Sequence, residues 1–253
     1  MSSPIYAADA LLAPTRLLDF NDAALRALVE SRGWARMTEK GRIGEIYDFV
    51  RNEIEFGYNQ ADDIPASKVY ADGIGQCNTK GTLLMALLRA VNIRCRLHGF
   101  TIHKELQRGV VPELVYPLAP SDILHSWVEV WLEDGFISLE GFILDSTYLS
   151  SLQSAFSESR GLCGYGVGSD DLHSPGVSWC GVSTYIQNTG ISQDLGVYDS
   201  PDAFYAEHSQ SLGKLKDWLY RNFIRHWMNA RVRKIRAGRM PIDFGRGCSN
   251  HIH

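Results

Sequence analysis

The run Thr82-Leu-Leu-Met-Ala-Leu-Leu-Arg-Ala-Val91 is apolar around most of a helical circumference. A helix without a polar face has to be enclosed by other elements. The chain must therefore wrap layers around a central helix, and that requires a core of real size. Its composition provides one, with 45% hydrophobic and 21% charged residues, which excludes disorder over most of the length. At 253 residues there is room for one generous domain or two small ones. The longest strongly apolar stretch, Leu83 to Leu88, stops at Arg89 and is far too short to cross a bilayer.

Helical spacing of Ala24, Leu25, Leu28 and Val29 predicts a first helix, with Asp19 or Asn21 as its cap. A second is expected from about Thr38 to Asn52, with Ile43, Ile46, Tyr47 and Val50 as its buried stripe. Ile54 to Tyr58 alternates as a short strand, and so do Ile93 to Ile102 and His125 to Trp131. Glu133-Asp134-Gly135 signals a hairpin, after which Phe136 to Leu139 and Phe142 to Leu144 are expected to extend the sheet. Ser150 to Ser200 is rich in Gly and Ser, without periodicity, and is expected to be an irregular functional cover. Pro201 opens a short helix, and Leu212 to Ile235 reads as a long amphipathic one.

Cys77 lies just ahead of the central apolar run, behind Gly73-Ile-Gly-Gln76. Unpaired N–H groups and the helix dipole at such a position both favour a thiolate. The preceding glycines let a carbonyl approach the backbone, and the same N–H groups can hold an oxyanion. A small buried residue capping a helix is the competing reading. His125 tips the balance, because it opens a strand after a loop, where a general base could lean over that helix N-terminus. Asp145, 20 residues on in Leu144-Asp-Ser-Thr147, could reach the imidazole across a hairpin and fix its tautomer. Glu140, between the two, is a rival for that role.

Three motifs in order then resemble the core of the transglutaminase-like superfamily. Gly75-Gln-Cys77 runs into the apolar helix and its Leu-Leu-Arg-Ala-Val-Asn-Ile-Arg turn. His125-Ser-Trp127-Val-Glu129 looks like the family's H-x-W-x-E strand, and Leu144-Asp145-Ser-Thr147 like its L-D-P-T segment. The resemblance implies an α+β, papain-related fold: a central buried helix carrying the nucleophilic cysteine, packed on an antiparallel sheet carrying His and Asp, with a C-terminal helical extension. It implies Cys77 as nucleophile, His125 as base and then acid, and Asp145 as orienter. Tyr58 sits where many members carry an aromatic that helps the oxyanion hole. Asn59 or Gln76 is an alternative donor, and Trp127 is a further binding candidate, read chiefly as packing.

The expected organisation is a catalytic domain over 1–200, with its core at 38–148 and a cover at 150–200, followed by a helical extension over 201–253. The implied activity is attack of the thiol on an amide or related carbonyl, through a thioester, without cofactor or metal. Hydrolysis of the peptidase or amidase type is favoured, because Asn78 stands where animal transglutaminases have tryptophan. An amine-accepting acyltransferase and an inactive binding module on the same fold are the alternatives.

Cys163, His173 and Cys180 fit no closed zinc pattern, and His251 and His253 lie in an expected tail. Gly164-Tyr-Gly-Val-Gly168 lacks a dinucleotide-binding context; with Tyr165, Asp170, Asp171 and His173 it is read as a substrate cover. Five cysteines, an odd number, and the absence of a basic, apolar leader point to the cytoplasm. From Ser211 to Arg239 nine basic residues face one acid, Asp217, so this arm carries +8 and the remainder −12 of the net −4. The arm is read as docking its stripe of Leu215, Trp218, Leu219, Ile224, Trp227, Met228, Val232 and Ile235 on the body, with a membrane surface or nucleic acid as rivals. The expected partner is an amide- or peptide-containing substrate, with no nucleic acid and no transmembrane segment; homo-oligomerisation is left open.

Overall fold

The computed structural model describes residues 9–209 and 213–241. Its centre is helix α4, Cys77–Ala90, in which every residue from Cys77 to Arg89 is buried. The helix starts five residues ahead of the apolar run, because Gln76 and Thr79 cap its first turn: the Gln76 N–H donates to Thr79 Oγ1 at 3.1 Å. Its far end is tied by Arg89, whose guanidinium donates to the carbonyls of Ala10, Ala13, Cys95 and Asp199. One buried fork thereby ties the N-terminal segment and Asp199, both distant in sequence, to the end of the helix and the nearby Cys95. Asn92, at φ 62°, turns the chain out of the helix toward the sheet.

Around α4 pack helices α1 (Ala23–Arg32), α2 (Glu39–Asn52) and α3 (Ala66–Asp72). Thr38 caps α2, and Ile43, Ile46, Tyr47 and Val50 are buried as their spacing predicts. The cap of α1 is Asp22, rather than Asp19 or Asn21; Asp19 instead accepts from the Ser67 N–H and hydroxyl at the start of α3.

The sheet is four-stranded and antiparallel in the order β5-β4-β3-β8, made of β3 (Cys95–His103), β4 (Asp122–Leu132), β5 (Gly135–Leu139) and β8 (Ile191–Tyr198). One face of β4 meets α4: the Ser126 hydroxyl donates to Asn78 Oδ1, and Val128 packs beside Gly81. Trp127 lies on the other face, stacked on Phe100 with ring centroids 3.9 Å apart. A short parallel pair, β1 (Glu55–Phe56) and β2 (Ile74–Gly75), lays the chain before Tyr58 alongside the chain before Cys77.

Three expectations are corrected here. Phe142 to Leu144 do not extend the sheet; all three are buried in a turn that leads into α5 (Ser146–Ala155). Asp145 is the N-cap of α5 and not a strand residue. The 150–200 region is irregular only in part: 170–187 lacks helix and strand as expected, but the region also holds most of α5, the hairpin β6–β7 (Leu162–Gly164, Val167–Ser169) and the sheet-edge strand β8. Short strands rich in Gly and Ser carry no legible periodicity, and it is pairing with β3 that makes β8 a strand. Gly99 of β3 is required there, since a Cβ at that position would fall 2.4 Å from the Phe204 ring.

Helix α6 (Pro201–Glu207) starts at the expected proline. It is followed by α7 (Lys214–Leu219), a π-helical turn (Tyr220–Ile224) and α8 (Arg225–Arg236), which run on from one another as one long helix. Met228, Val232 and Ile235 dock this helix on the body. Trp218, Leu219 and Trp227, expected on the docked stripe, are exposed together with Phe223. Leu212, Cys248, His251 and His253 lie outside the described residues. Among the described residues, no helix is long and apolar enough to cross a membrane.

Candidate active site

Cys77 is the first residue of α4, where a backbone N–H has no carbonyl one turn back in the helix to pair with. It is 8% exposed and opens on a cleft of about 460 Å³. Tyr58, Leu124, Gln187, Tyr205 and Tyr220 are among the walls of that cleft.

His125, from β4, is fully buried beside Cys77. Its Nε2 lies 2.8 Å from Glu140 Oε1. Among the described residues its Nδ1 has no partner in hydrogen-bonding geometry, and the ring interacts electrostatically with the neighbouring Cys77. Burial disfavours the imidazolium, yet its electrostatic and hydrogen-bonding interactions with Cys77 and then Glu140 outweigh that and push His125 up to about 10.

Glu140 is fully buried and held from three sides. Its second oxygen accepts from the backbone N–H groups of Ile186 and Gln187, at 2.9 and 3.1 Å. Its own N–H donates to the Thr184 carbonyl at 3.0 Å. The 184–187 segment, part of the region read as a cover, thus fixes the carboxylate that faces the imidazole.

Asp145, expected against His125, is committed elsewhere. It accepts from the Phe56 N–H at 2.9 Å and the Tyr148 N–H at 2.9 Å, and it forms an ion pair with Arg236 of α8. Burial alone would raise its carboxyl, but Arg236 and the two N–H groups win and hold it below the ordinary carboxylate range. Hairpin register could have foretold this difference. With Leu132 opposite Gly135 and Val128 opposite Leu139, the next position places Glu140 beside Trp127, on the face that carries His125.

Of the other expected residues, Tyr58 and Gln76 both line the cleft. Tyr58 is buried next to Cys77, and burial pushes its phenol well above the usual range. The Gln76 amide is spent locally: Nε2 donates to Asp62 at 2.5 Å, and Oε1 accepts from the Thr79 hydroxyl at 3.3 Å. Asp62, whose carboxyl is raised by burial, also accepts from Asn78 Nδ2. Trp127 sits behind His125, edge-on to it at 6.4 Å, and packs the sheet rather than the cleft. Of the expected cover, Gly166 and Gln187 reach the cleft. Tyr165 is turned into the core, and Asp171 caps the turn at His173 and Ser174.

Helix α8 builds one wall of the site. Asn229 grips Tyr58 from both sides of its backbone, accepting from the N–H at 2.7 Å and donating to the carbonyl at 3.0 Å. Arg236 donates to the Phe56 carbonyl at 3.4 Å and to Glu55 at 2.6 Å. One turn inside α4, Lys80 is fully buried and donates to the carbonyls of Arg51 and Ile143. Burial lowers it to about 7, with Asp145 opposing that shift. Among the described residues, no group of three or more His, Cys, Asp or Glu is arranged to hold a metal.

A buried helix that presents a cysteine to a histidine on an antiparallel sheet defines a mixed α+β fold built around a thiol–imidazole pair. Residues 27–141 match the model of the transglutaminase-like superfamily, the family whose motifs the sequence resembles over that span. Among solved structures it is similar to one from Cytophaga hutchinsonii described as a "putative cysteine protease", at 13% identity and a TM-score of 0.45. The match covers 80% of this chain and 52% of that one, so this chain spans about half its length. No curated protein matches.

Proposed function

We propose that this protein is a cysteine-dependent acyl-transfer enzyme that hydrolyses an amide or peptide bond through a thioester on Cys77. The observation that carries the reading is the buried Cys77–His125–Glu140 line, open to a cleft at its thiol end alone. Here Glu140, and not Asp145, is the orienter.

In this mechanism the Cys77 thiolate attacks the carbonyl carbon, and the C=O π pair moves onto oxygen. The oxyanion is met by the Cys77 N–H at the helix N-terminus, with the Tyr58 hydroxyl as the second donor. Collapse breaks the C–N bond, and His125 Nδ1 gives its proton to the leaving amine. Glu140 holds Nε2–H, which fixes the ring and supports its positive charge. Water, deprotonated by the now neutral imidazole, attacks the thioester carbon; the acid departs and the thiolate returns. The whole chain, including 201–241, is proposed as one catalytic unit, because Asn229 and Arg236 hold the Phe56–Tyr58 wall.

The test is mass spectrometry of the protein after brief exposure to an activated aryl ester, with Cys77→Ser and His125→Ala as comparisons. Acylation of Cys77 in the wild type, lost in the first variant and strongly slowed in the second, supports the reading. Breakdown of that adduct in water against added amines separates hydrolysis from amine transfer. Failure to acylate, or equal labelling in His125→Ala, would leave the inactive binding module instead.

A further inference from the structure

The outer face of the C-terminal helix is unlike the rest of the surface. Trp218 is 54% exposed, Phe223 58% and Trp227 45%. The intervening π-helical turn explains how they align: it spaces the first two by five residues instead of four, so all three follow one line along the helix. The rings of Trp218 and Phe223 are 5.5 Å apart. Burying such side chains within the protein would stabilise it, and here the fold leaves them in water.

The same helix is strongly basic. Lys214, Lys216, Arg221, Arg233 and Lys234 are exposed and Arg225 half-buried, with Asp217 the one acid between 213 and 241. Among the described residues no carboxylate forms an ion pair with any of these six. The Arg225 Nε–H instead donates to the Arg221 carbonyl, which leaves its charge uncompensated.

We propose that this face docks the protein on an anionic lipid surface, lying in the interface with the three aromatic rings inserted among the headgroups. Aromatic rings flanked by unpaired lysine and arginine suit the boundary between acyl chains and anionic headgroups. A second copy of the chain fits poorly, because it would bring two strongly cationic helices together. A nucleic acid fits poorly as well: stacking on single-stranded bases needs a basic groove, whereas these rings stand on a convex ridge. The opposite side of this helix lines the cleft that holds Cys77 through Leu219, Tyr220 and Ile224, and Lys216 and Arg221 also border that cleft, which leaves Lys214, Arg225, Arg233 and Lys234 as the basic groups clear of it. Docking therefore holds the cleft one helix diameter, roughly 10 Å, from the lipid surface. The docking itself does not depend on the catalytic reading.

The experiment is co-sedimentation of the full chain with vesicles of phosphatidylcholine alone and of phosphatidylcholine with phosphatidylglycerol. The wild type and two variants are compared: Trp218→Ala/Phe223→Ala/Trp227→Ala, and Lys214→Glu/Arg225→Glu. All five positions are outside the cleft walls, and matching thermal midpoints verify that the variants fold. The wild type is expected to sediment with the anionic vesicles and not the neutral ones. Each variant should lose about tenfold or more in partitioning, since a single basic group near such a surface is worth about fivefold. The proposal is overturned by absence of binding to anionic vesicles, by equal binding to both lipids, or by a triple-alanine variant that binds like the wild type. Dimerisation through these rings, or binding of single-stranded DNA without binding of vesicles, would overturn it equally.

Discussion

His125 Nε2 and Glu140 Oε1 stand 2.8 Å apart, and both side chains are wholly shielded from solvent. A charge-assisted hydrogen bond with no water to compete for it holds the imidazole in one tautomer. Glu140→Gln is therefore expected to slow acylation of Cys77 by about a hundred- to ten-thousand-fold, the scale seen when an orienting carboxylate becomes an amide. Single-turnover kinetics with an aryl ester measure this directly.

Asp145→Asn should behave in the opposite way. It breaks a buried pair with Arg236 while keeping an acceptor for the cap of α5. The expected cost is about 2–4 kcal/mol of stability, softened because Glu55 still faces Arg236, with acylation changed little. Urea midpoints and acylation rates on the same sample distinguish it from Glu140→Gln. A larger kinetic defect in Asp145→Asn than in Glu140→Gln would reverse the two roles.

The raised His125 fixes a pH window. Its folded value of about 10 lies above the ordinary 6.5, so the stabilisation of the imidazolium is complete below about 6.5 and is lost as pH rises toward 10. Acylation of an amide, which needs that proton for the leaving group, is expected to fall over the alkaline end of this range. In His125→Gln the corresponding slope of stability against pH should vanish; urea titrations across the window measure it.

Lys80 acts with the reverse sign. Its folded value of about 7 lies below the ordinary 10.5. The unfolded chain thus binds the extra proton between these limits, and this group makes the fold more stable as pH rises, by at most about 1.4 kcal/mol per pH unit. Lys80→Met should remove that slope. The variant also leaves two carbonyls unsatisfied, which shifts its stability by a constant and leaves the slope readable.

Asn229→Ala removes both hydrogen bonds that α8 makes to the Tyr58 backbone. The expected loss is about 1–3 kcal/mol, from buried backbone groups left without partners. Because Tyr58 borders Cys77, acylation should slow as well. Unchanged acylation at reduced stability would separate the helix from the site.

The elements whose signal is local were legible in the chain. The circumferential apolarity of α4, the stripe of α2, the alternation of β3 and β4 and the turn at Glu133-Asp134 each depend on neighbours in sequence. Cys77 and His125 were legible for the same reason: one begins a helix and the other lies on an alternating strand. The partner of His125 was not, because Asp145 and Glu140 are both carboxylates at plausible spacings. Hairpin register and the N–H groups of Ile186 and Gln187 distinguish them, and the latter come from a stretch without periodicity. Strand β8 depends in the same way on pairing with β3. The C-terminal helix shows the divide best. Its composition declared an amphipathic basic helix, yet the tertiary structure alone selected Met228, Val232 and Ile235 for burial and left Trp218, Phe223 and Trp227 outside. A helix has more apolar surface than one docking face can cover, so which part is covered depends on the body it meets.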